Sequence, residues 1–450
     1  MALYKPSASS VFQRFFAPVI DVYPASGKQY NCKTISDLDF LEMGILRSLT
    51  ESKTGRDFIQ RHGDHDRLNV DTDHFFKALK RKRRIAHLQP INTLVECVVN
   101  DLAVDPFTSI PELVGFALYA GDGHFHRGTV HDQKRNTEKG GVKKPATGHF
   151  FMTNLRSHFM SHMGTSDLTD GRKGEHDMHL IKRCDMETLR GFEPKGTKVI
   201  LVWDKAGIDF NFWHRSKMSH GLYFISREKE NMKLIRCGSI PVDRDDPRNE
   251  GVISDEQVGP GGGAGAMLRR IVYKDPETET IFTYIATEMT LPPGIVCLLY
   301  KHRWDIEKIY DEFKNKMDEK KSWGSGNESK TTNALFLCLA HNLMLILEAL
   351  LGREGIVNKK EWERKESRLA ELVENGTNFV ATFVQRFTVR VLKFIRWLRN
   401  FVYREVPWSP ATVRLTEVYS AKKMFSTPLS LSIKGRVRMD RNFRPNPNIK

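Results

Sequence analysis

The stretch Tyr300-Lys-His-Arg303-Trp-Asp-Ile-Glu307-Lys-Ile-Tyr-Asp-Glu-Phe-Lys314 decides how the rest of this chain is read. Tyr300, Arg303, Glu307 and Lys314 fall at offsets 0, 3, 7 and 14. At about 100° per helical residue they lie near 0°, 300°, 340° and 320°, one narrow stripe of a single helix. Ile306, Ile309, Phe313 and Met317 gather at roughly 180–260°, an adjoining apolar stripe that buries the helix. The neighbouring edge then carries a carboxylate among two cations and a phenol. Carboxylates hold metal ions, and Arg, Lys and Tyr hydroxyls hold phosphate oxygens. That combination suits metal-dependent chemistry on a phosphodiester. An Arg303/Glu307 pair by itself is an ordinary solvated i,i+4 pair. The full four-residue spacing is the unusual feature.

Composition points the same way. The 450 residues carry a formal charge of +15 with a pI of about 9.4, and hydrophobic (40%) and charged (28%) contents are those of a soluble globular protein. A basic balance of this size favours an anionic partner. The apolar stretch Ala334–Leu351 contains His341, Asn342 and Glu348, so it is expected to be a buried helix and not a membrane span. The first residues have no apolar core of a signal peptide. No membrane association is expected, which leaves nucleic acid. The six cysteines, at 32, 97, 184, 237, 297 and 338, contain no Cys-x-x-Cys pair, which excludes zinc-ribbon and thioredoxin-like readings and suits a reducing compartment.

The chain divides by pattern into five regions. Residues 1–108 are expected to be helical and to bind DNA ends, with a Ser36-x-x-Asp39 cap opening a helix to Leu49. Within them, His74–Arg84 ends in five consecutive cations, Lys80–Arg84, read either as a solvated helix end or as a phosphate-contacting helix. Residues 109–205 change character. Val114–Phe125 is a strand-like run that stops at Asp122-Gly123, short strands are expected near Arg127–His131 and over Gly148–Asn154, a helix over Asp177–Leu189, and a buried strand over Lys198–Val202 ending in Trp203-Asp204. Strand, strand, strand, helix, strand is the order of a ribonuclease-H-like core. Residues 206–294 read as a β-rich insertion, with strands over His220–Arg227, Arg269–Lys274 and Thr280–Ala286. The glycine-rich Gly259–Gly265 lacks the Lys-Ser/Thr of a P-loop and is expected to be a loop. Residues 295–350 complete the core, and 351–450 form a helical region with a basic amphipathic stretch, Phe379–Tyr403, and a basic tail. The expected fold is therefore α/β, a ribonuclease-H-like core interrupted by a β-rich insertion between helical N- and C-terminal regions.

Two neighbouring strands that each end in Asp would bring Asp122 and Asp204 together at one sheet edge, where α/β sheets commonly bind ligands. Clustered carboxylates are what two-metal phosphodiester chemistry needs. Each acid has a plainer reading. Asp122-Gly123 has the composition of a turn, Asp209 rivals Asp204, and Asp311 rivals Glu307. His124, His126 and His131 do not have the spacing of a zinc site, so local polar packing or DNA contact is expected of them. The His176/His179 pair is weak evidence for anything.

The Tyr-x2-Arg-x3-Glu-x6-Lys spacing resembles the signature of DDE transposases of the insertion-sequence-four family, complete at all four positions and extending over roughly residues 110–350. Trp203-Asp204-Lys205 departs from that family, which more often has Asp-Arg there. The resemblance implies a catalytic triad of Asp122, Asp204 and Glu307 holding Mg²⁺ or Mn²⁺, in a pair of ions. It implies that Tyr300, Arg303 and Lys314 grip phosphates, with Arg227 a further phosphate contact. It implies terminal inverted repeats and target DNA as partners, a homodimer on paired ends, and action at the nucleoid in a prokaryotic cytoplasm. Two other functions stay open: a non-catalytic DNA-binding protein derived from such an enzyme, and another ribonuclease-H-like nuclease.

Overall fold

The computed structural model describes residues 10–27, 34–50, 54–64, 70–126, 146–166, 177–261, 267–317 (277 excepted), 324–354, 398–402 and 406–412, with isolated positions 32, 52, 135–136, 142–143, 356, 367 and 370. Five helices open it: α1 (Val11–Val22), α2 (Asp37–Leu49), α3 (Gly55–Asp64), α4 (Thr72–Leu79) and α5 (Lys82–Leu102). α2 starts at the expected cap. The Asp39 N–H donates to Ser36 Oγ at 3.0 Å and the Ser36 N–H donates to the Asp39 carboxylate at 3.2 Å, which satisfies two helix-end donors. The cation run Lys80–Arg84 does not extend one helix but straddles the turn between α4 and α5. Arg83 donates twice to Asp37, at 2.8 and 2.9 Å, and buried Arg84 donates to the Ile35 and Ser36 carbonyls. Two cations of this run, which from sequence reads either as a solvated helix end or as a phosphate-contacting helix, thus fasten α5 to the start of α2.

Then follow β1 (Phe116–His126), the two-residue strands β2 (Arg135–Asn136) and β3 (Val142–Lys143), β4 (Thr147–Asn154), β5 (Met160–Thr165), α6 (Asp177–Arg183), α7 (Met186–Leu189) and β6 (Lys198–Trp203). After these come α8 (Phe210–His220), β7 (Leu222–Arg227), β8 (Leu234–Ser239), β9 (Val252–Pro260), β10 (Leu268–Lys274), β11 (Ile281–Ala286), α9 (Pro293–His302), α10 (Trp304–Asn315) and α11 (Asn327–Arg353). Nine strands form one sheet in the order β5-β4-β1-β6-β7-β11-β10-β9-β8. β5, β4 and β1 are antiparallel neighbours, and β6 and β7 run parallel to β1. This mixed five-strand half has the arrangement expected of a ribonuclease-H-like core. A parallel step from β6 to β7 requires a crossover, and α8 provides it. α8 ends at Gly221, whose left-handed φ of 60° a side chain would strain.

Several elements differ from expectation. β1 does not stop at Asp122 but continues to His126, paired beyond Gly121 with β4 alone. The strand expected near 127–131 lies outside the described residues, and the third antiparallel strand is β5. The helix expected over Asp177–Leu189 is two short ones, α6 and α7, with Asp185 capping the second. The region expected to be β-rich from residue 206 begins with the helix α8 and with β7, which pairs with β6 in the same sheet. β8–β11 then extend that sheet from β7 through β11. Most of the basic stretch over 379–403, and the tail, lie outside the described residues.

α11 is long and apolar enough by composition to cross a membrane. Its residues from Ala334 to Met344 are all buried in the main core. Polar ties also fix it in place. Thr332 donates to the Leu79 carbonyl at 2.9 Å, Asn333 accepts from Arg47, and Asn342 bonds both Asn92 of α5 and the backbone of Met160 in β5. α11 therefore joins the N-terminal helices to the sheet.

Candidate active site

The site begins with strand register. β1 and β6 run parallel and their pairing ends at Gly121–Trp203. The next residue on each strand is an aspartate, so register sets Asp122 beside Asp204 at the carboxyl edge of the parallel pair. A tight fit fixes this level. A Cβ on Gly121 would come within 2.0 Å of the Trp203 ring and one on Gly207 within 2.1 Å, so the fully buried indole is clamped between two glycines. Asp204 caps the short turn that follows, accepting from the Ala206 N–H at 3.4 Å.

The quoted stretch is not one helix. It divides at Arg303, which ends α9 and begins α10 with φ −54° and ψ −30°. Contacts from residue to residue plus three cross the joint: Arg303 N–H to the Tyr300 carbonyl (3.1 Å) and Ile306 N–H to the Arg303 carbonyl (3.2 Å). Buried Asp305 pins it, within 2.8 Å of His302 Nδ1 and of Lys308 Nζ and 3.4 Å from His158 Nε2. These partners hold its carboxyl, despite burial, well below the usual range. The expected apolar stripe, Ile306, Ile309, Phe313 and Met317, is buried throughout. Tyr310 donates its hydroxyl to the Asp122 carbonyl at 2.7 Å and docks α10 on β1.

Docking carries Glu307 towards Asp122, with Arg303 between them. Arg303 Nη2 lies 2.6 Å from Glu307 Oε1 and Nη1 lies 3.6 Å from Asp122 Oδ2. Its guanidinium carbon is 5.6 Å from the Tyr300 ring centre, and Tyr300 in turn packs on Tyr284 with ring centres 4.9 Å apart. Burial pushes the Asp122 carboxyl up to about 7; Arg303 opposes the shift, and Asp204 and Glu307 reinforce it. Burial likewise lifts the Tyr300 hydroxyl to about 12, against the pull of Arg303. Burial works against the charge of Arg303, but Tyr300, Glu307 and Asp122 outweigh it and raise its pKa.

Among the described residues, no group of three or more His, Cys, Asp or Glu stands in an arrangement that could hold a metal ion. The guanidinium lies between Asp122 and Glu307 instead. In chemistry the residues do fit a divalent ion. They are hard oxygen donors, and the buried Asp122 carboxyl, raised first by burial and then by Asp204 and Glu307, would be stabilised in its charged form by a divalent cation.

Lys314 and Arg227 are exposed, and Arg227 lies with its guanidinium carbon 5.0 Å from the Phe282 ring centre, beside the tyrosines. The rivals have other work. Asp209 caps α8 and binds Lys182 at 2.5 Å, while exposed Asp311 accepts from Asn315 and lies 3.7 Å from Lys316. His124 and His126 face a different group from the one the spacing suggested. They join His149 and His162 in a buried cluster, with His149 Nδ1 3.2 Å from His162 Nε2 and His124 stacked 4.5 Å from Tyr310. Burial, then the neighbouring histidines, keeps His126 and His149 well below their usual pKa, and burial takes His162 to about 4. Burial therefore favours the neutral form of His126, His149 and His162, which pack against one another. His131 and His176 lie outside the described residues. Asp305 and Tyr310 escaped the sequence reading because both sit off the Tyr/Arg/Glu/Lys stripe. Their signal was the helix N-terminus for Asp305 and the buried edge for Tyr310.

Residues 118–343 match the family model described as transposase DDE domain. No curated protein sequence matches the chain. Among solved structures it is similar to a piggyBac transposase in a synaptic complex with hairpin DNA, at 12% identity and a TM-score of 0.37 over 96% of this chain and 84% of that one.

Proposed function

The chain belongs to the DDE transposase family, and on that premise we propose that it is a cut-and-paste transposase of the insertion-sequence-four type, with Asp122, Asp204 and Glu307 as its catalytic acids. What supports this reading is the strand register that sets Asp122 beside Asp204, together with Arg303, which ties Glu307 to Asp122. Asp122 and Asp204 follow directly on paired residues of adjacent parallel strands, and Glu307 lies across Arg303 from Asp122 on a helix docked through Tyr310. In this reading the three acids hold two divalent ions, Mg²⁺ or Mn²⁺. Bound, these would polarise the scissile phosphate and make water a competent nucleophile at neutral pH.

The chain's own residues do the rest. Asp122 must lose its proton to serve, and with a pKa of about 7 it does so around neutrality. Arg303 and Tyr300 line the same edge, and Arg227 and Lys314 offer exposed cations to the DNA backbone. Hydrolysis at the element's end releases a 3′-hydroxyl, which attacks next, on the other strand or on target DNA. The protein acts as a homodimer on paired ends, at the nucleoid of a prokaryotic cell.

The test uses a duplex carrying the inverted repeat that flanks the gene. Purified protein with Mg²⁺ should nick it at the repeat boundary and leave a 3′-hydroxyl. End binding without any strand cleavage, in Mg²⁺ and in Mn²⁺, would sink the enzymatic reading and favour a DNA-binding derivative. Cleavage of junctions or hybrids without end preference would favour a different nuclease.

A further inference from the structure

We infer that Arg303 is a built-in counter-ion, which occupies the carboxylate site in the DNA-free chain and yields it when a DNA phosphate takes the guanidinium. The inference rests on the reading of Asp122 and Glu307 as metal-holding residues. Arg303 is only 8% exposed and is fastened to two of the three acids, at 2.6 and 3.6 Å. A Glu307 oxygen in so short a charge-assisted bond gives part of its charge to the guanidinium and has less to offer a metal. A divalent ion placed beside the same guanidinium would also meet like charge at close range in a poorly solvated site. Arginine and metal therefore compete for the same negative charge.

A second observation says what draws Arg303 away. Its Nε is buried and has no hydrogen-bond partner among the described residues. A guanidinium in a finished structural role commits its donors, as Arg269 does with Nε and both terminal nitrogens. Arg303 retains a donor suited to a forked acceptor, and phosphate is the forked acceptor of a nucleic acid. The way out is open on one side, where Trp304 is 47% exposed and its ring centre is 5.7 Å from the guanidinium carbon. The position is also a helix joint without a side-chain cap.

Linkage makes the consequence measurable. If phosphate removes Arg303 from the acids, DNA tightens metal binding and metal tightens DNA binding by one common factor. The device keeps the chain from assembling a loaded site before it holds DNA.

The measurement is Mn²⁺ affinity by electron paramagnetic resonance on the full chain, with and without the end-bearing duplex. Wild type should bind Mn²⁺ weakly alone and at least about fivefold more tightly with DNA. Arg303→Gln without DNA should already bind at least about fivefold more tightly than wild type, and DNA should add little. Arg303→Met, which fits between Tyr300 and Trp304, serves if the glutamine variant does not fold. Asp204→Asn separates the two levels of the argument. Suppose Mn²⁺ binding depends on Asp204 but is unchanged or weaker in the Arg303 variants. Then the counter-ion role is overturned and the metal site stands. If no form of the protein binds Mn²⁺, with or without DNA, the metal site falls and the counter-ion role falls with it.

Discussion

Two arginines of this chain are buried among carboxylates, and their surroundings differ. Arg269 on β10 donates through Nε and Nη2 to Asp255, at 2.9 and 2.5 Å, and through Nη1 to the Leu291 carbonyl at 2.6 Å. Glu288, 3.7 Å away, takes its own donors from Thr290 and the Leu291 N–H. That cluster is closed: each donor has an acceptor and each carboxylate a donor. Arg303 sits between two acids, with a buried Nε that lacks a partner among the described residues and an Asp122 carboxyl pushed up to about 7. A closed buried ion set organises a sheet, whereas one with surplus charge and a spare donor is waiting for something. The contrast separates the half of the sheet that is scaffold from the edge that is site.

The strongest way to break that comparison is to remove one acid from each cluster. On the proposed reading, Glu307→Ala removes one of the metal-holding acids and should lower strand cleavage by on the order of a thousandfold or more. End binding in a band-shift assay should persist, and stability should change little because Glu307 is part-exposed. Asp255→Ala should do the opposite. It strands Arg269, which is 2% exposed, and should cost about 3–5 kcal/mol in denaturant unfolding. Cleavage per folded molecule should stay as in wild type. Equal stability losses in the two variants would erase the distinction.

A pH series sharpens it. Asp122 ionises near 3.8 when unfolded and near 7 when folded, so between these values the folded chain holds a proton that the unfolded chain has lost. Stability therefore falls as pH rises from about 4 to about 7, and the whole penalty is present above that window. Asp122→Asn cannot ionise. In a chelator it should match wild type near pH 4 and exceed it at pH 8 by about 1–3 kcal/mol, less than the full shift because the group is partly solvated. Parallel stability curves for the two proteins would show that Asp122 carries no strain.

How much of this was legible in the sequence depended on whether one strand or helix pattern was enough. The run from Val199 to Trp203 is buried at every position and reads as a central strand, so the placement of Asp204 after it was visible. The stop at Asp122 was misread because β1 runs on past its last partner in β6, and only pairing reveals where that happens. β5 (Met-Ser-His-Met-Gly-Thr) and β8, largely exposed, lack the alternation that marks a strand. α8 mixes aromatic and polar residues without a clean stripe, so its crossover role, which makes β7 parallel to β6, was hidden. The helical wheel over Tyr300–Lys314 assumed one axis, whereas the stretch is two helices that meet at Arg303. The joint at Arg303 is set by tertiary partners, Asp305 with His302 and His158, which no wheel shows.

The smallest expected effect lies furthest from the buried acids. Lys314 and Arg227 are exposed, so neither should matter to the fold, and Lys314→Ala or Arg227→Ala should leave unfolding within about 0.5 kcal/mol of wild type. If each contacts one phosphate, each variant should bind the end duplex a few-fold more weakly, and the slope of log affinity against log salt should shrink by about 1. The loss should be uniform over end and random sequences, because phosphate contacts carry no base information. An unchanged salt slope would remove that residue from the DNA path. The two positions also differ from Arg303 in kind. An exposed cation meets phosphate by giving up only water and counter-ions. Arg303 must first leave two carboxylates, so its contribution to DNA binding should depend on the metal, and theirs should not.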